Sequence, residues 1–428
     1  MSALSPNPPS PSRRRRGSSS SSMGRRLLGT IVSVVVLGGA VAAVVSTSGL
    51  DLSSRAPESA GASGAVAGKA GDTKDASPAA ARELGFGLSF GDTLTWSTDA
   101  ELGRALDDAA DLGVHWVRVD LSWRNIQPDS PSQYLWERFD RVVDAADKRG
   151  LEVLPTIGYT PRWAAAADCG STSQTCPPAD DDQFAAFAGA AAERYSARGV
   201  HTWEIWNEPN IRPFWHTGPD AERYAGLLKA ASRSVRSADS KAYLLLGGLA
   251  AVKTDPAKQY VSHQTYLGEL GRLGALDQVD AISYHPYTYP LLPGAKTATG
   301  TRFEEIASTS DSLVSVLRRY GKPDMPVWVT ETGAPTWSQG TAADSPDAQG
   351  TRHVTARLQA EIATDTVPAA AAIPSVAKVF WFAYRDGEAE TADSRTSQHF
   401  GLLYSDGRHK PAFAALRKAI SDYRERRD

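Results

Sequence analysis

Short apolar runs alternate with amphipathic stretches from about residue 83 to the end of the chain. The apolar runs are rich in β-branched and aromatic residues, as buried strands are. The amphipathic stretches repeat their apolar residues every three or four positions, which is typical of helices that bury one face. The pattern predicts eight strands, over 84–90, 114–121, 151–157, 201–207, 242–249, 279–284, 326–331 and 376–383. It predicts one helix after each strand, over 99–112, 135–148, 181–198, 219–238, 259–273, 302–320, 349–364 and 411–422.

Strict alternation of strand and helix implies parallel strands joined by right-handed crossovers. Eight such units favour a closed (β/α)8 TIM barrel for residues 83–428. The alternative is an open doubly wound sheet, which normally carries a glycine-rich phosphate-binding turn after its first strand. The glycines of segment 85–91 lie within the predicted strand and do not open a helix, so they do not fit that turn.

The chain before the predicted barrel divides into three segments. Residues 1–26 are rich in Ser, Pro and Arg and predict a disordered basic tail on the cytoplasmic side. Residues 27–49 include 19 consecutive uncharged residues and predict either a transmembrane signal anchor or a cleaved signal peptide. Residues 50–82 predict a flexible Ala/Gly/Ser linker. We therefore expect a single-pass cell-membrane protein with its barrel outside the cytoplasm, or a secreted protein if 27–49 is cleaved.

Charge and cysteine content limit the partners. The net charge is −3 although the first 26 residues carry six arginines, so the remaining chain is acidic and a poor candidate for binding nucleic acid. Cys169 and Cys176 have no nearby His to complete a zinc site. They predict a local disulfide in an oxidising compartment, with two free thiols as the alternative. The eight histidines show no paired ligand spacing, so we predict neither a metal nor a cofactor. The oligomeric state is not predicted.

Two glutamates end predicted strands at the edge where barrel active sites form. Glu208 ends the fourth strand within Asn207-Glu208-Pro209, and Glu331 ends the seventh strand. Hydrolysis of a glycosidic bond needs two carboxyl groups that face each other. One protonates the leaving oxygen, and the other attacks the anomeric carbon or activates a water. We predict this pair as the catalytic groups, while the spacing that separates retaining from inverting enzymes stays open.

Several neighbours of this pair are candidate substrate-binding residues. Arg118 and Tyr287 could keep Glu331 ionised, and Asn207 could bind a sugar hydroxyl beside the reacting carbon. His285 follows the sixth strand and has a structural role as its alternative. For Arg118 the alternative is a buried ion pair with Glu208 or Asp120. Flat aromatic faces near the strand ends could stack on sugar rings, and the candidates are Trp163, Trp215 and Trp381. Four other tryptophans lie inside strands and are predicted core residues: Trp116, Trp203, Trp206 and Trp328.

Residues 203–210 (Trp-Glu-Ile-Trp-Asn-Glu-Pro-Asn) and 327–333 (Val-Trp-Val-Thr-Glu-Thr-Gly) resemble motifs of clan A glycoside hydrolases. The similarity covers about 84–420 and points to families 39 and 5. It implies a TIM barrel, retention of anomeric configuration, Glu208 as acid/base and Glu331 as nucleophile. By the same resemblance His285, Tyr287 and Arg118 match the family's site, and Trp381 or Tyr384 provides the platform of the eighth strand. The third strand lacks the His of cellulase-like members, which favours the family 39 side.

The sequence therefore predicts a retaining glycosidase that cleaves a cell-surface or extracellular polysaccharide by double displacement. Two alternatives use the same barrel: a non-catalytic glycan-binding wall protein, and a transglycosylase that transfers the sugar to an acceptor other than water. The sugar, the linkage and the choice between endo and exo action are not predicted.

Overall fold

The computed structural model describes residues 83–170, 173–337, 342–348, 352–387 and 396–427. The predicted tail, membrane segment and linker lie outside these ranges. Within them, no helix combines the length and the apolar character that a membrane span requires. The expectations for residues 1–82 therefore remain predictions.

The described chain forms a closed barrel of eight parallel strands that pair in chain order, and β1 closes the barrel against β8. The predicted (β/α)8 fold is confirmed. The strands are β1 Gly85–Gly91, β2 Trp116–Ser122, β3 Glu152–Gly158, β4 Thr202–Asn207, β5 Tyr243–Ala250, β6 Ala281–His285, β7 Val327–Thr332 and β8 Val376–Phe382.

A principal helix follows each strand on the outside of the barrel. These helices are α1 Asp99–Asp111, α2 Glu137–Asp147, α3 Asp181–Ser196, α4 Ala221–Ala238, α5 His263–Arg272, α6 Leu313–Arg319, α7 Ala356–Ala371 and α8 Pro411–Glu425. One-turn helices cover Thr93–Trp96, Trp123–Ile126 and Glu304–Ala307. Short 3-10 turns cover Arg162–Ala164, Ala167–Cys169, Ala275–Gln278 and Thr396–Gln398.

Two predicted helices differ from the structure. The helix predicted over 302–320 is split, because the polar run 308–312 offers side chains that compete for backbone hydrogen bonds. Ser312 instead caps the N-terminus of α6 by accepting a hydrogen bond from the Ser315 N–H. The helix predicted over 349–364 begins at Ala356 and ends at Ala371. It passes through Pro368, which removes only one donor near the C-terminal end.

The barrel interior changes from apolar at the N-terminal ends of the strands to polar at the C-terminal ends. Its lower part is closed by an apolar cluster that includes the Trp116 and Trp328 rings, whose centroids are 5.4 Å apart. The Lys378 ammonium lies over both rings, 4.7 Å from Trp116 and 4.8 Å from Trp328. Above this apolar cluster, inward side chains such as Arg118, Glu204 and Thr330 are charged or hydroxylated, at the end of the barrel where the predicted site lies.

The four tryptophans predicted to be core residues are all buried. Trp116 and Trp328 fill the barrel interior, whereas Trp203 and Trp206 pack in the layer between the strands and the helices. The predicted disulfide joins Cys169 to Cys176 in the loop between β3 and α3. The same loop pairs with the chain before α3 through the bridge of Ala165 with Pro178.

Candidate active site

Glu208 leaves the end of β4 through an unusual backbone conformation. Its φ is +44°, and the φ of Trp206 two residues earlier is +72°. A side chain with a Cβ rarely adopts this left-handed region, and such strain clusters at functional sites. The Glu208 N–H still donates to the Gly248 carbonyl of the next strand at 2.8 Å. The turn therefore redirects the carboxyl group while it keeps the backbone paired.

Gly248 makes room for His285. A Cβ at position 248 would lie 2.0 Å from the His285 Nε2, far closer than the 3.0 Å below which non-bonded Cβ contacts essentially never occur. A Cβ at the preceding Gly247 would lie 2.6 Å from the carbonyl oxygens of Ile205 and Trp206. The Gly-Gly pair in β5 is thus required by the close approach of β4 and by the imidazole.

Arg118 is the centre of the polar layer. Its guanidinium is 1% exposed and donates from Nε to Glu204 Oε2 at 2.5 Å, from Nη1 to Glu331 Oε1 at 2.7 Å, and from Nη2 to Asn207 Oδ1 at 2.8 Å. The ion pairs are therefore with Glu204 and Glu331. The alternative pairing with Glu208 or Asp120 is wrong, because the Arg118 guanidinium forms its ion pairs with Glu204 of β4 and Glu331 of β7.

The two predicted catalytic carboxyl groups face each other in different surroundings. Glu331 accepts from Arg118 on one oxygen and from the Tyr287 hydroxyl on the other, at 2.7 Å. Glu208 Oε1 lies 2.9 Å from His285 Nδ1. One oxygen of each glutamate and one His285 nitrogen all lie within 4.8 Å of one another. The structure thus brings together the predicted Glu208, Glu331, His285, Tyr287, Arg118 and Asn207.

The pKa values of Glu208 and Glu331 depend on burial and on the charged and polar groups around each carboxyl group. Burial raises the pKa of both Glu208 and Glu331, because both carboxyl groups are almost fully removed from water. The Arg118 charge and the Tyr287 hydroxyl act in the opposite direction on Glu331. Two carboxylates this close disfavour double ionisation. Glu331 therefore has a direct cationic partner in Arg118, whereas Glu208 has the His285 imidazole.

Within the described ranges, Glu208, His285 and Glu331 are also the donors close enough to hold a metal ion. The buried Arg118 guanidinium already places a positive charge against Glu331 at 2.7 Å. A second cation at this distance would be repelled by it. The geometry therefore disfavours a metal here, and the expectation of no metal or cofactor remains a prediction.

The aromatic residues predicted to bind sugar are placed differently. Trp381 is 2% exposed and packs in the outer layer between the strands and the helices, so it cannot provide a platform. Successive side chains of a strand point to opposite faces, and the partly exposed Phe382 is the residue that faces inward with Phe380. The Phe382 ring is 5.7 Å from Phe400, whose ring is 5.2 Å from Tyr287. Phe382 and Phe400 thus form an aromatic pair beside Tyr287, whose hydroxyl bonds to Glu331.

The other three aromatic candidates, Tyr384, Trp215 and Trp163, lie at different depths in the structure. Tyr384 points outward, since its hydroxyl donates to Asp108 on α1 at 2.7 Å and its ring packs on Phe90. Trp215 is fully buried and contacts no open space. Both predictions are wrong for the same reason, namely that the side chains belong to the outer layer. Trp163 is partly exposed on the loop after β3, with its indole N–H bonded to the Gln127 carbonyl at 2.8 Å.

Sequence reasoning missed Glu204 and Thr330. Both are fully buried, and Thr330 donates to Glu204 Oε1 at 3.0 Å while Thr156 donates to Oε2 at 2.8 Å. The signal was present in the alternation of β4, because Glu204 lies on the opposite face from Trp203 and Ile205. A carboxylate on the inward face of a barrel strand needs a cation, and Arg118 is on the inward face of β2.

The family model described as cellulase (glycosyl hydrolase family 5) matches residues 78–362. The chain belongs to this family. A β-xylosidase from Geobacillus stearothermophilus is 26% identical over 227 residues, which cover 49% of this chain and 43% of that relative. The chain thus spans less than half the length of this curated relative. The clan A resemblance predicted from the two glutamate motifs is confirmed by the family 5 match.

Solved structures share the fold of this family 5 chain. A family 39 glycoside hydrolase from Bacteroides cellulosilyticus WH2 superposes with a TM-score of 0.60 at 23% identity, covering 79% of this chain and 64% of that one. A GH5_18 enzyme from Streptomyces cattleya, in complex with GlcNAc, superposes with a TM-score of 0.60 at 21% identity, covering 81% of both chains. Families 39 and 5, the two that the sequence resembles, both occur among these structures.

The pKa of Asp120, a buried acid near Arg118, can be tested through the pH dependence of stability. It is buried at the end of β2, and burial followed by the nearby charge of Asp92 raises its pKa from 3.8 to about 7, although Arg118 opposes the shift. A carboxyl with a raised folded-state pKa takes up a proton on folding, so stability falls as pH rises between the two values, by up to about 1.4 kcal/mol per pH unit.

We expect Asp120→Asn to remove this decline. The difference in unfolding free energy, variant minus wild type, should rise between pH 4.5 and 7.5 in denaturant titrations. Asp107→Asn is the matched control, since Asp107 is exposed and its pKa is lowered by Arg149. A difference for Asp120→Asn that stays flat or falls over this range would contradict the assignment.

Proposed function

We propose that the chain is a retaining glycoside hydrolase in which Glu331 is the nucleophile and Glu208 is the acid/base. The observation that carries the proposal is the facing pair of glutamates with opposite hydrogen-bond surroundings. Their oxygens lie within 4.8 Å of each other. This supports the carboxyl separation of about 5–5.5 Å in retaining enzymes over the about 6.5–9.5 Å of inverting ones.

The first step forms a covalent glycosyl–enzyme. The Glu331 oxygen attacks the anomeric carbon while the Glu208 proton moves to the leaving glycosidic oxygen, so that one C–O bond forms and one breaks. Arg118 and Tyr287 hold Glu331 in place with hydrogen bonds of 2.7 Å each. Bonding to both oxygens orients the carboxylate, and it keeps the nucleophile ionised before attack.

The second step releases the sugar. Glu331 is now an ester and no longer a charged neighbour, so the ionised Glu208 can accept a proton from water. The hydroxide equivalent attacks the anomeric carbon from the side that the leaving group occupied, and Glu331 departs as a carboxylate. Two displacements at one carbon restore the starting configuration.

An exposed tryptophan supports a substrate longer than one sugar. Trp96 follows β1 on the C-terminal side of the barrel and is 46% exposed. Its indole N–H is hydrogen bonded to Asp92, and the Arg138 guanidinium covers one face at 3.7 Å. The indole is therefore held rigid with its other face open, which suits an apolar sugar face. We place a further sugar unit of an oligosaccharide or polysaccharide on this ring.

The proposed site of action is outside the cytoplasm, and it rests on the sequence of residues 27–49. The disulfide of Cys169 with Cys176 is in keeping with an oxidising compartment. Protease added to intact cells should digest the barrel. Full protection of the barrel in intact cells would contradict this location.

Substitution of each glutamate tests its role. Against a panel of aryl β-glycosides, Glu331→Gln should abolish turnover, because an amide cannot form the ester. Glu208→Ala should slow turnover by roughly 10²–10⁴-fold, least for substrates with good leaving groups, and added azide should restore release with formation of a glycosyl azide. Glu222→Gln is a matched control, since Glu222 is exposed in the first turn of α4, and it should retain wild-type rates.

Near-wild-type turnover by Glu331→Gln, with its fold intact by circular dichroism, would refute the role of that residue. The same panel separates the alternatives. Glycan binding without turnover by the wild type would favour a non-catalytic protein. Longer products on addition of a sugar acceptor would favour transglycosylation over hydrolysis.

Trp96→Ala tests the extended substrate. We expect KM for the longer oligosaccharides of the hydrolysed sugar to rise roughly 3- to 10-fold, with a smaller change for the single-sugar aryl glycoside. Leu135→Ala is the matched control, since Leu135 is exposed to a similar extent at 39%. Equal KM values for wild type and Trp96→Ala on every chain length would exclude a sugar unit at this ring.

A further inference from the structure

A chain of hydrogen bonds connects the middle of the barrel to Glu208. Thr330 donates to Glu204 Oε1 at 3.0 Å, His285 Nε2 lies 3.0 Å from Thr330 Oγ1, and His285 Nδ1 lies 2.9 Å from Glu208 Oε1. All four side chains are at most 3% exposed. Water therefore does not compete for these bonds, and each hydrogen in the chain has a defined position.

The direction of the chain is fixed at Glu204. Burial disfavours its charged form, but the Arg118 guanidinium at 2.5 Å outweighs burial and holds the pKa of Glu204 below its ordinary value. Thr156 adds a second hydrogen bond to the same oxygen at 2.8 Å. An ionised carboxylate can only accept hydrogen bonds. The single hydroxyl hydrogen of Thr330 must therefore point to Glu204.

This direction determines the tautomer of His285. Since the Thr330 hydrogen is used on Glu204, the Thr330 oxygen can only accept from His285 Nε2, which must then carry a hydrogen. A neutral imidazole has one N–H, so its Nδ1 presents a lone pair. That lone pair faces Glu208 Oε1 at 2.9 Å. Two lone pairs at this distance repel, so beside a neutral imidazole the proton between Nδ1 and Oε1 belongs to Glu208.

We propose that Glu204, acting through Thr330 and His285, keeps the catalytic proton on Glu208 in the resting enzyme. Glu204 and Thr330 are then positioning residues, and the inference rests on the proposed role of Glu208 as acid/base. The same tautomer assists the second step. Once Glu208 has given its proton to the leaving oxygen, its carboxylate faces the Nδ1 lone pair and is a stronger base toward water.

Other charges around Glu208 must be held constant in any test. The titratable and charged groups that act on it come from several elements: His285 of β6, Glu331 of β7, Arg118 of β2, and Tyr260 and Tyr287 of the loops after β5 and β6. Thr330→Val alters none of these charges and nearly preserves the side-chain volume. It removes the hydroxyl that donates to Glu204 and accepts from His285.

Thr330→Val should release His285 to place its hydrogen on Nδ1 and donate to ionised Glu208. Hydrogen bonding to the charged form lowers the pKa of an acid. The alkaline limb of kcat/KM reports the protonated Glu208 of the free enzyme. We therefore expect this limb to move down by about one pH unit, the equivalent of one hydrogen bond to a charged group. Thr330→Ser keeps the hydroxyl, and its alkaline limb should coincide with that of the wild type.

The tautomer can also be observed without turnover. In the wild-type protein labelled with ¹⁵N-histidine, the His285 signals, identified by their loss in His285→Gln, should show a protonated Nε2 and an unprotonated Nδ1. A protonated Nδ1, with Nε2 either bare or also protonated, would overturn the proposal. An alkaline limb unchanged in Thr330→Val, or shifted equally in Thr330→Ser, would overturn it as well. If no glycoside were hydrolysed, the proposed function would fail, while the ¹⁵N signals would still decide the tautomer.

Discussion

The polar layer of this barrel depends on the buried Arg118 guanidinium. A charge that is 1% exposed is strongly destabilising unless it is paired on several sides. Glu204, Glu331 and Asn207 supply those partners from β4 and β7, so one cation holds two strands of the barrel in a fixed relation. Its position also gives the two glutamates proposed as catalytic groups different surroundings. It bonds directly to Glu331, while Glu208 meets an imidazole instead.

The backbone makes this arrangement possible at a local cost. Glu208 occupies a left-handed conformation, and the imidazole fits beside it only because position 248 has no Cβ. A conformation of this kind costs of order 1–3 kcal/mol. The parallel barrel around it absorbs that cost, since the Glu208 N–H remains bonded to β5. The left-handed backbone of Glu208 and the missing side chain of Gly248 together allow the Glu208 carboxyl group to contact the His285 imidazole.

The fold was predictable because eight strands and their helices each repeat a simple period. Glu208 and Glu331 were predictable because each ends a strand beside turn-forming residues. Glu204 was missed because an inward-facing acid inside a strand becomes recognisable only when the register with Arg118 is known. The prediction for Trp381 was wrong for the same reason, because the register of β8 is not known from the sequence. Successive residues of a strand face opposite sides, and the residue of this pair that faces inward is Phe382. Inward or outward orientation is set by pairing between distant strands.

The central claim is that Glu331 forms a covalent bond to the sugar while Glu208 handles the proton. The most direct measurement follows the first anomer released from a β-glycoside that the chain hydrolyses, by proton NMR within the first minutes of reaction. The account predicts the β-anomer first, with the α-anomer appearing later by mutarotation. Initial release of the α-anomer would mean a single displacement by water and would contradict a nucleophilic Glu331.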